Sequence, residues 1–181
     1  MFDNQQDASS AAAKTFTPGG EGVGDSLYPG FGNGGYDVKH YDLDLNVKNI
    51  ATSKLSGLTT IEAKATQNLS SFNLDFIGFD IESIRVNGKP ATFSRDGKEL
   101  TINPAKPLSQ NDPFEVAVQY KGSPTQITSV ALPVPTGWVN FERGSFVLSE
   151  PDGAANYSPS TIIPSTRLPT PSGSQFPSLT R

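Results

Sequence analysis

Strict alternation of apolar and polar residues limits the fold of this chain more than any other feature. In the run YDVKHYDLDLNV, beginning at Tyr36, the side chains of Tyr41, Leu43, Leu45 and Val47 fall on one side of an extended backbone. Those of His40, Asp42, Asp44 and Asn46 fall on the other. A period of two marks a half-buried antiparallel strand, whereas the apolar stripe of an amphipathic helix recurs about every 3.6 residues. The pattern repeats in short runs at Thr59-Ile61-Ala63-Ala65, Phe72-Leu74-Phe76, Ile84-Val86, Ala91-Phe93, Leu100-Ile102 and Phe114-Val116-Val118-Tyr120, and no helical stripe interrupts them. Asn87-Gly88 and Asp96-Gly97 fall between these runs. Both pairs tolerate positive φ, so two tight hairpins are expected. About seven short strands with turns at this spacing predict an all-β fold, an antiparallel β-sandwich-like domain of two curved sheets, with a barrel as the alternative.

The 181 residues suffice for one well-buried domain with tails. Residues 1–24 are small and polar with several glycines, and they bury too little surface to offset the entropy of ordering, so they read as a flexible leader. The β domain is expected over residues 25–157, with a last strand at Phe146-Val147-Leu148 running into a loop at Glu150-Pro151. From residue 158 to 181 acidic residues vanish and Ser, Thr and Pro dominate, the composition of a disordered tail.

Composition removes several kinds of chemistry. The chain has no Cys and one His, His40, so neither H-E-x-x-H nor a Cys-based zinc site can be assembled from it. A cysteine nucleophile is excluded, and no G-x-S-x-G turn presents a serine to His40. With 14 Lys and Arg against 18 Asp and Glu the net charge is −4, and the basic residues are scattered, so nothing resembles a nucleic-acid footprint or a phosphate loop. No run of about 18 apolar residues is present to span a bilayer.

Three stretches in order, GNGGYDVKHYDLDL, ATQNLSSFNLDFIGFDIESIRVNG and GWVNFERGSFVLSEPDGAANY, carry a family resemblance. The chain from about Asp25 to Tyr157 resembles the amino-terminal β domain of aminopeptidase N-like zinc metallopeptidases of the gluzincin type. In that family a separate thermolysin-like domain supplies H-E-x-x-H, a distant Glu ligand and the zinc. None of these occurs here, so the resemblance implies no catalytic residue, no metal ligand and no cofactor in this chain, with zinc belonging to the full-length family. The implied partner is the missing catalytic domain, and neither nucleic acid nor membrane is expected. What the amino-terminal domain adds is an acidic or amide residue, just before a loop of the type E-P-x-x-A, that binds the free α-amine of the peptide substrate. Glu150 stands at that position. A carboxylate beside an ammonium in a partly dry cleft forms a charge-assisted hydrogen bond and selects the first residue of a peptide. Relatives are often exported, which points to secretion, yet MFDNQQDASSAAAKTF has neither the charged start nor the apolar stretch of a signal peptide.

Beyond Tyr157 the chain departs from this pattern. Relatives continue roughly as FPVNDHPLDKATYTFRI after GAANY. If Thr161-Ile162-Ile163-Pro164 is encoded ACG-ATC-ATC-CCn, reading from one base earlier gives AAC-GAT-CAT-CCC, which is N-D-H-P, and the shift continues to D-K-A-T-Y-T-F-R-I over Ser165 to Ser174. Residues 158–181 are therefore expected to be out-of-frame translation, in a chain truncated before the catalytic domain. The glycosylation pattern Asn156-Tyr157-Ser158 is then a product of the shift, while Asn68-Leu69-Ser70 is an in-frame candidate.

His40, Asp42 and Asp44 share one strand face and could converge on a cation, but alternating polar residues are what a solvated face requires. Trp138 with Phe141 nearby could stack on a sugar, although packing of the loop against the sheet is the plainer expectation. The expected function is a noncatalytic domain that helps bind the free amino terminus of a peptide through Glu150 in the intact zinc aminopeptidase and is inactive alone. The alternative is an independent β-sandwich binding module for carbohydrate or protein. A bare apolar patch on the last strands separates the two, because a self-sufficient module hides such a surface.

Overall fold

The structure, a computed structural model, describes residues 13–49, 51–124, 126–129, 133–141, 144–150 and 152–161. Its strands run in chain order β1 (Thr17–Pro18), β2 (Tyr36–Asn49), β3 (Lys54–Ala65), β4 (Leu69–Asp75), β5 (Asp80–Val86), β6 (Lys89–Pro90), β7 (Thr92–Asp96), β8 (Glu99–Asn103), β9 (Pro113–Gly122), β10 (Ile127–Thr128), β11 (Pro135–Phe141) and β12 (Gly144–Leu148). A single 3-10 turn at Gly153–Asn156 follows. The strands form a five-stranded sheet, β2-β3-β9-β5-β6, a four-stranded sheet, β1-β4-β8-β7, and a small sheet, β10-β11-β12. No helix among the described residues is long and apolar enough to cross a membrane.

The sandwich follows from the alternation. Along β3 every second residue, Leu55, Gly57, Thr59, Ile61, Ala63 and Ala65, is buried, and β9 buries Phe114, Val116, Val118 and Tyr120 in register with them. These side chains meet Phe72 and Leu74 of β4 and Leu100 and Ile102 of β8 in one hydrophobic core. Phe76, Phe79 and Tyr120 pack against one another with ring centroids 4.8 to 5.5 Å apart. Burying each such ring contributes about 1.5–3 kcal/mol. The Asn87-Gly88 hairpin forms as expected, both residues having positive φ (50° and 73°), between Val86 and its partner Lys89. In the second hairpin Asp96 pairs with Glu99, so the loop is Gly97-Lys98, one residue later than expected, with Gly97 taking the positive φ of 56°.

Three departures from the sequence reading concern coverage. In β2 Tyr41 and Leu45 are half-buried as expected, but Leu43 and Val47 are each 40% exposed. The strand is an edge of its sheet, and its apolar face is only partly covered beyond Tyr41. The assigned leader reaches too far. Residues 1–12 lie outside the described residues, but Thr17–Pro18 pairs in parallel with β4, Gly19 N–H donates to Ser71 O, and Gly34 N–H donates to Gly20 O. The assigned tail begins too early. Ser160 exchanges both backbone hydrogen bonds with Asp75, and Thr161 N–H donates to Tyr41 Oη at 3.1 Å. Residues 162–181 lie outside the described residues.

Candidate functional site

Glu150 sits one residue beyond Ser149, where the chain leaves β12 and turns back toward the 3-10 turn. That turn is tied down on every side. Gly153 N–H donates to Ser149 O at 2.8 Å, Thr136 Oγ1 donates to the buried Asp152 Oδ1 at 3.4 Å, and Trp138 N–H donates to the buried Asn156 Oδ1 at 2.9 Å. Ser149 Oγ and Tyr157 Oη share a hydrogen bond of 2.7 Å, and Ile77 N–H donates to Ala155 O at 2.8 Å. Gly137, with φ of 84°, allows the close approach, since any Cβ there would lie on the Asn156 side chain. The backbone on both sides of Glu150 is therefore fixed. The carboxylate itself is exposed, and it has no hydrogen-bond or ion-pair partner among the described residues. A carboxylate that is free to pair yet held at a defined place can recognise a cation delivered to it.

The other residues singled out from sequence play plainer parts. His40, Asp42 and Asp44 are exposed on β2, and among the described residues no three His, Asp or Glu side chains are grouped to hold a metal ion. Trp138 is half-buried against the core, with its ring 6.2 Å from that of Tyr157 and Nε1 donating to Ser53 Oγ at 2.8 Å. Its indole is committed to packing, which leaves no free platform for a sugar. Asn68 Oδ1 accepts from Gln110 N–H at 2.9 Å.

Sequence reasoning missed a buried polar cluster on the far side of β4. Asp75 is fully buried; Lys98 Nζ donates to its Oδ1 at 2.8 Å and Asn33 Nδ2 to its Oδ2 at 3.1 Å. Glu99 and Ser160 flank Asp75 in the ladder. Burial pulls the Lys98 ammonium down, but its hydrogen bond and charge pairing with Asp75 outweigh this and raise it. Burial, then the nearby Asp75 charge, raises the Glu99 carboxyl. Burial also pushes Tyr41 up to about 12. Asn33 Oδ1, Glu99 Oε2 and Ser160 Oγ are buried with no partner. The members come from four distant segments, and the only hint in the sequence is an Asp inside the apolar run FNLDF.

No family model matches the chain. Solved structures do. The M1 zinc metallopeptidase from Deinococcus radiodurans aligns at a TM-score of 0.72 and 33% identity over 80% of this chain, which spans 33% of that enzyme. A mutant of that peptidase bound to a Tyr-Ser-Ala substrate aligns at 0.71, again at 33% identity over 80% of this chain and 33% of that one. A further structure in the group is described as a two domain M1 zinc metallopeptidase. Legionella pneumophila aminopeptidase A aligns at a TM-score of 0.55 and 16% identity over 69% of this chain and 14% of its own, a likeness of fold alone. The chain thus spans about a third of the length of the Deinococcus enzymes it matches.

Proposed function

We infer that this chain, which has the amino-terminal domain fold of an aminopeptidase N-like M1 zinc metallopeptidase, presents Glu150 to the free α-amine of a peptide substrate and leaves the hydrolytic chemistry to a second domain. The observation that carries this reading is the uncommitted Glu150 carboxylate on a loop that Asp152 and Asn156 fix to β11. The residues present offer no set of zinc ligands, so they do not fit a resident zinc, and zinc enters only through the second domain of the resembled enzymes. There it would polarise the scissile carbonyl and activate water. In this chain Glu150 has one task, to orient the ammonium end of the peptide by a charge-assisted hydrogen bond.

The test uses the chain itself with Tyr-Ser-Ala as probe. In a chemical-shift titration at high peptide concentration, the free-amine peptide moves the backbone signals of Ser149, Glu150 and Asp152. The N-acetylated peptide does not, and Glu150→Gln removes the response. Equal responses to the two peptides overturn the amine role. The chain releases no tyrosine from the peptide with or without added zinc; release that tracks zinc overturns the noncatalytic reading.

A further inference from the structure

The ribbon that carries Glu150 has two unlike faces. Trp138 pairs with Val147 and Asn140 with Ser145 on one face, and that face turns inward: Trp138 Nε1 donates to Ser53 Oγ, and Ser53 and Ser145 both donate to Asn140 Oδ1. The opposite face carries Val139, Phe141, Phe146 and Leu148. Phe141 and Phe146 are 57% and 52% exposed and their rings lie 6.4 Å apart, with Leu148 exposed beside them. This is the last stretch of strand before the Glu150 turn. Two aromatic rings and two aliphatic chains laid side by side on a two-stranded ribbon are a poor surface to leave in water.

We propose that this face docks the second domain of a two-domain M1 zinc metallopeptidase. The inference rests on the reading of Glu150 given above. If Glu150 meets a substrate lying between two domains, the ribbon leading into it borders the other domain, and its outward apolar face is what that domain covers. The chain spans a third of the matched enzymes, and such an enzyme is described as having two domains, so a second body of the right kind exists in these relatives. The half-exposed Leu43 and Val47 on β2 are the rival patch. They are only two residues, both on a sheet edge, and they lie on a different strand from the Glu150 turn.

The experiment mixes the full chain with the second domain of the Deinococcus radiodurans enzyme, prepared as a soluble fragment that retains its zinc, and measures affinity by titration calorimetry and sedimentation. A one-to-one complex is expected. Phe141→Ser with Phe146→Ser weakens it about tenfold or more, as loss of an aromatic anchor does, while Leu43→Ser with Val47→Ser leaves it in place. Phe146→Ser alone serves where the pair impairs folding. No complex, or a complex lost through the β2 variant and kept by the phenylalanine variant, overturns the proposal. So does a discrete dimer of the chain that the phenylalanine variant breaks, since the occupant is then a second copy. A failed docking face leaves the peptide titration at Glu150 unaffected, so the two readings fail separately.

Discussion

The two halves of this molecule solve the burial problem differently. In the sandwich of β3, β4, β8 and β9 the large side chains Phe72, Leu74, Leu100, Ile102, Val116, Val118 and Tyr120 are essentially inaccessible to water. In the β10–β12 sheet Phe141, Phe146, Val147 and Leu148 are all exposed, and the order of the ribbon rests on polar ties to Ser53 and to the Asp152–Asn156 turn. The first half is complete by itself. The second spends its hydrogen bonds on holding Glu150 in place and leaves its apolar surface open, which is the division expected of a domain that works against a partner.

The largest expected effect separates the halves directly. Phe72→Ala removes a fully buried ring that packs against Tyr36 and Phe114, and it costs about 3–5 kcal/mol of stability in denaturant melts. Phe146→Ser, at a ring of nearly the same size, changes stability by about 0.5 kcal/mol or less, as exposed substitutions do. A destabilisation of Phe146→Ser comparable to that of Phe72→Ala would show that the ribbon is part of the core, and the contrast would collapse.

One place on the sandwich side is less complete than the rest. Ser160 occupies a buried position in the ladder beside Asp75, yet its hydroxyl has no partner. Ser160→Val removes the unpaired group and places a β-branched side chain in an extended segment, so a gain of about 1 kcal/mol is expected. The continuation of the relatives after GAANY has Val in this place, and we propose on that basis that the codons from Ser158 onward are read out of frame. Sequencing the transcript across the codons for Ala154 to Arg181 tests this: one inserted base restoring F-P-V-N-D-H-P supports it, and an intact single frame with no downstream H-E-x-x-H in any frame overturns it. A loss of stability in Ser160→Val would mean that the buried serine suits its site.

What was legible in the sequence follows from the range of the interactions. Strands β2 to β5 and β7 to β9 declare themselves because alternation is a local property, and the Asn87-Gly88 hairpin because positive φ at two adjacent residues is a local demand. β11 escaped because Pro135 and Gly137 interrupt the run in which Trp138 and Asn140 alternate with Val139 and Phe141. The ordered pieces at Thr17–Pro18 and Ser158 to Thr161 escaped because only their partners, β4 and Tyr41, order them. Glu150 was found through resemblance. No periodicity marks it, and its usefulness depends on Asp152 and Asn156 reaching back to β11.

The smallest expected effect lies in the buried cluster behind β4, where burial of polar groups is only partly compensated. Glu99 has its carboxyl raised from the ordinary 4.5 by burial and then by the Asp75 charge. A carboxyl raised in the folded state binds its proton more tightly there than in the unfolded chain, so this group favours folding when protonated. That contribution is present below 4.5 and is lost as pH rises through the raised folded value. Lys98, raised above 10.5, contributes stability that persists through neutral pH and is lost only as pH climbs past its folded value. Between these limits the two groups act in separate windows. Glu99→Gln should therefore flatten the decline in melting temperature that begins near pH 4.5 and leave the alkaline limb, which belongs to Lys98, where it was. The exposed Glu150 provides the control from the other half of the molecule: its replacement by Gln leaves both limbs of the melting profile intact. If Glu99→Gln left the acidic slope unchanged, the carboxyl would be better solvated than its buried, unpartnered Oε2 implies, and the sandwich would be as well satisfied at its polar margin as at its apolar centre.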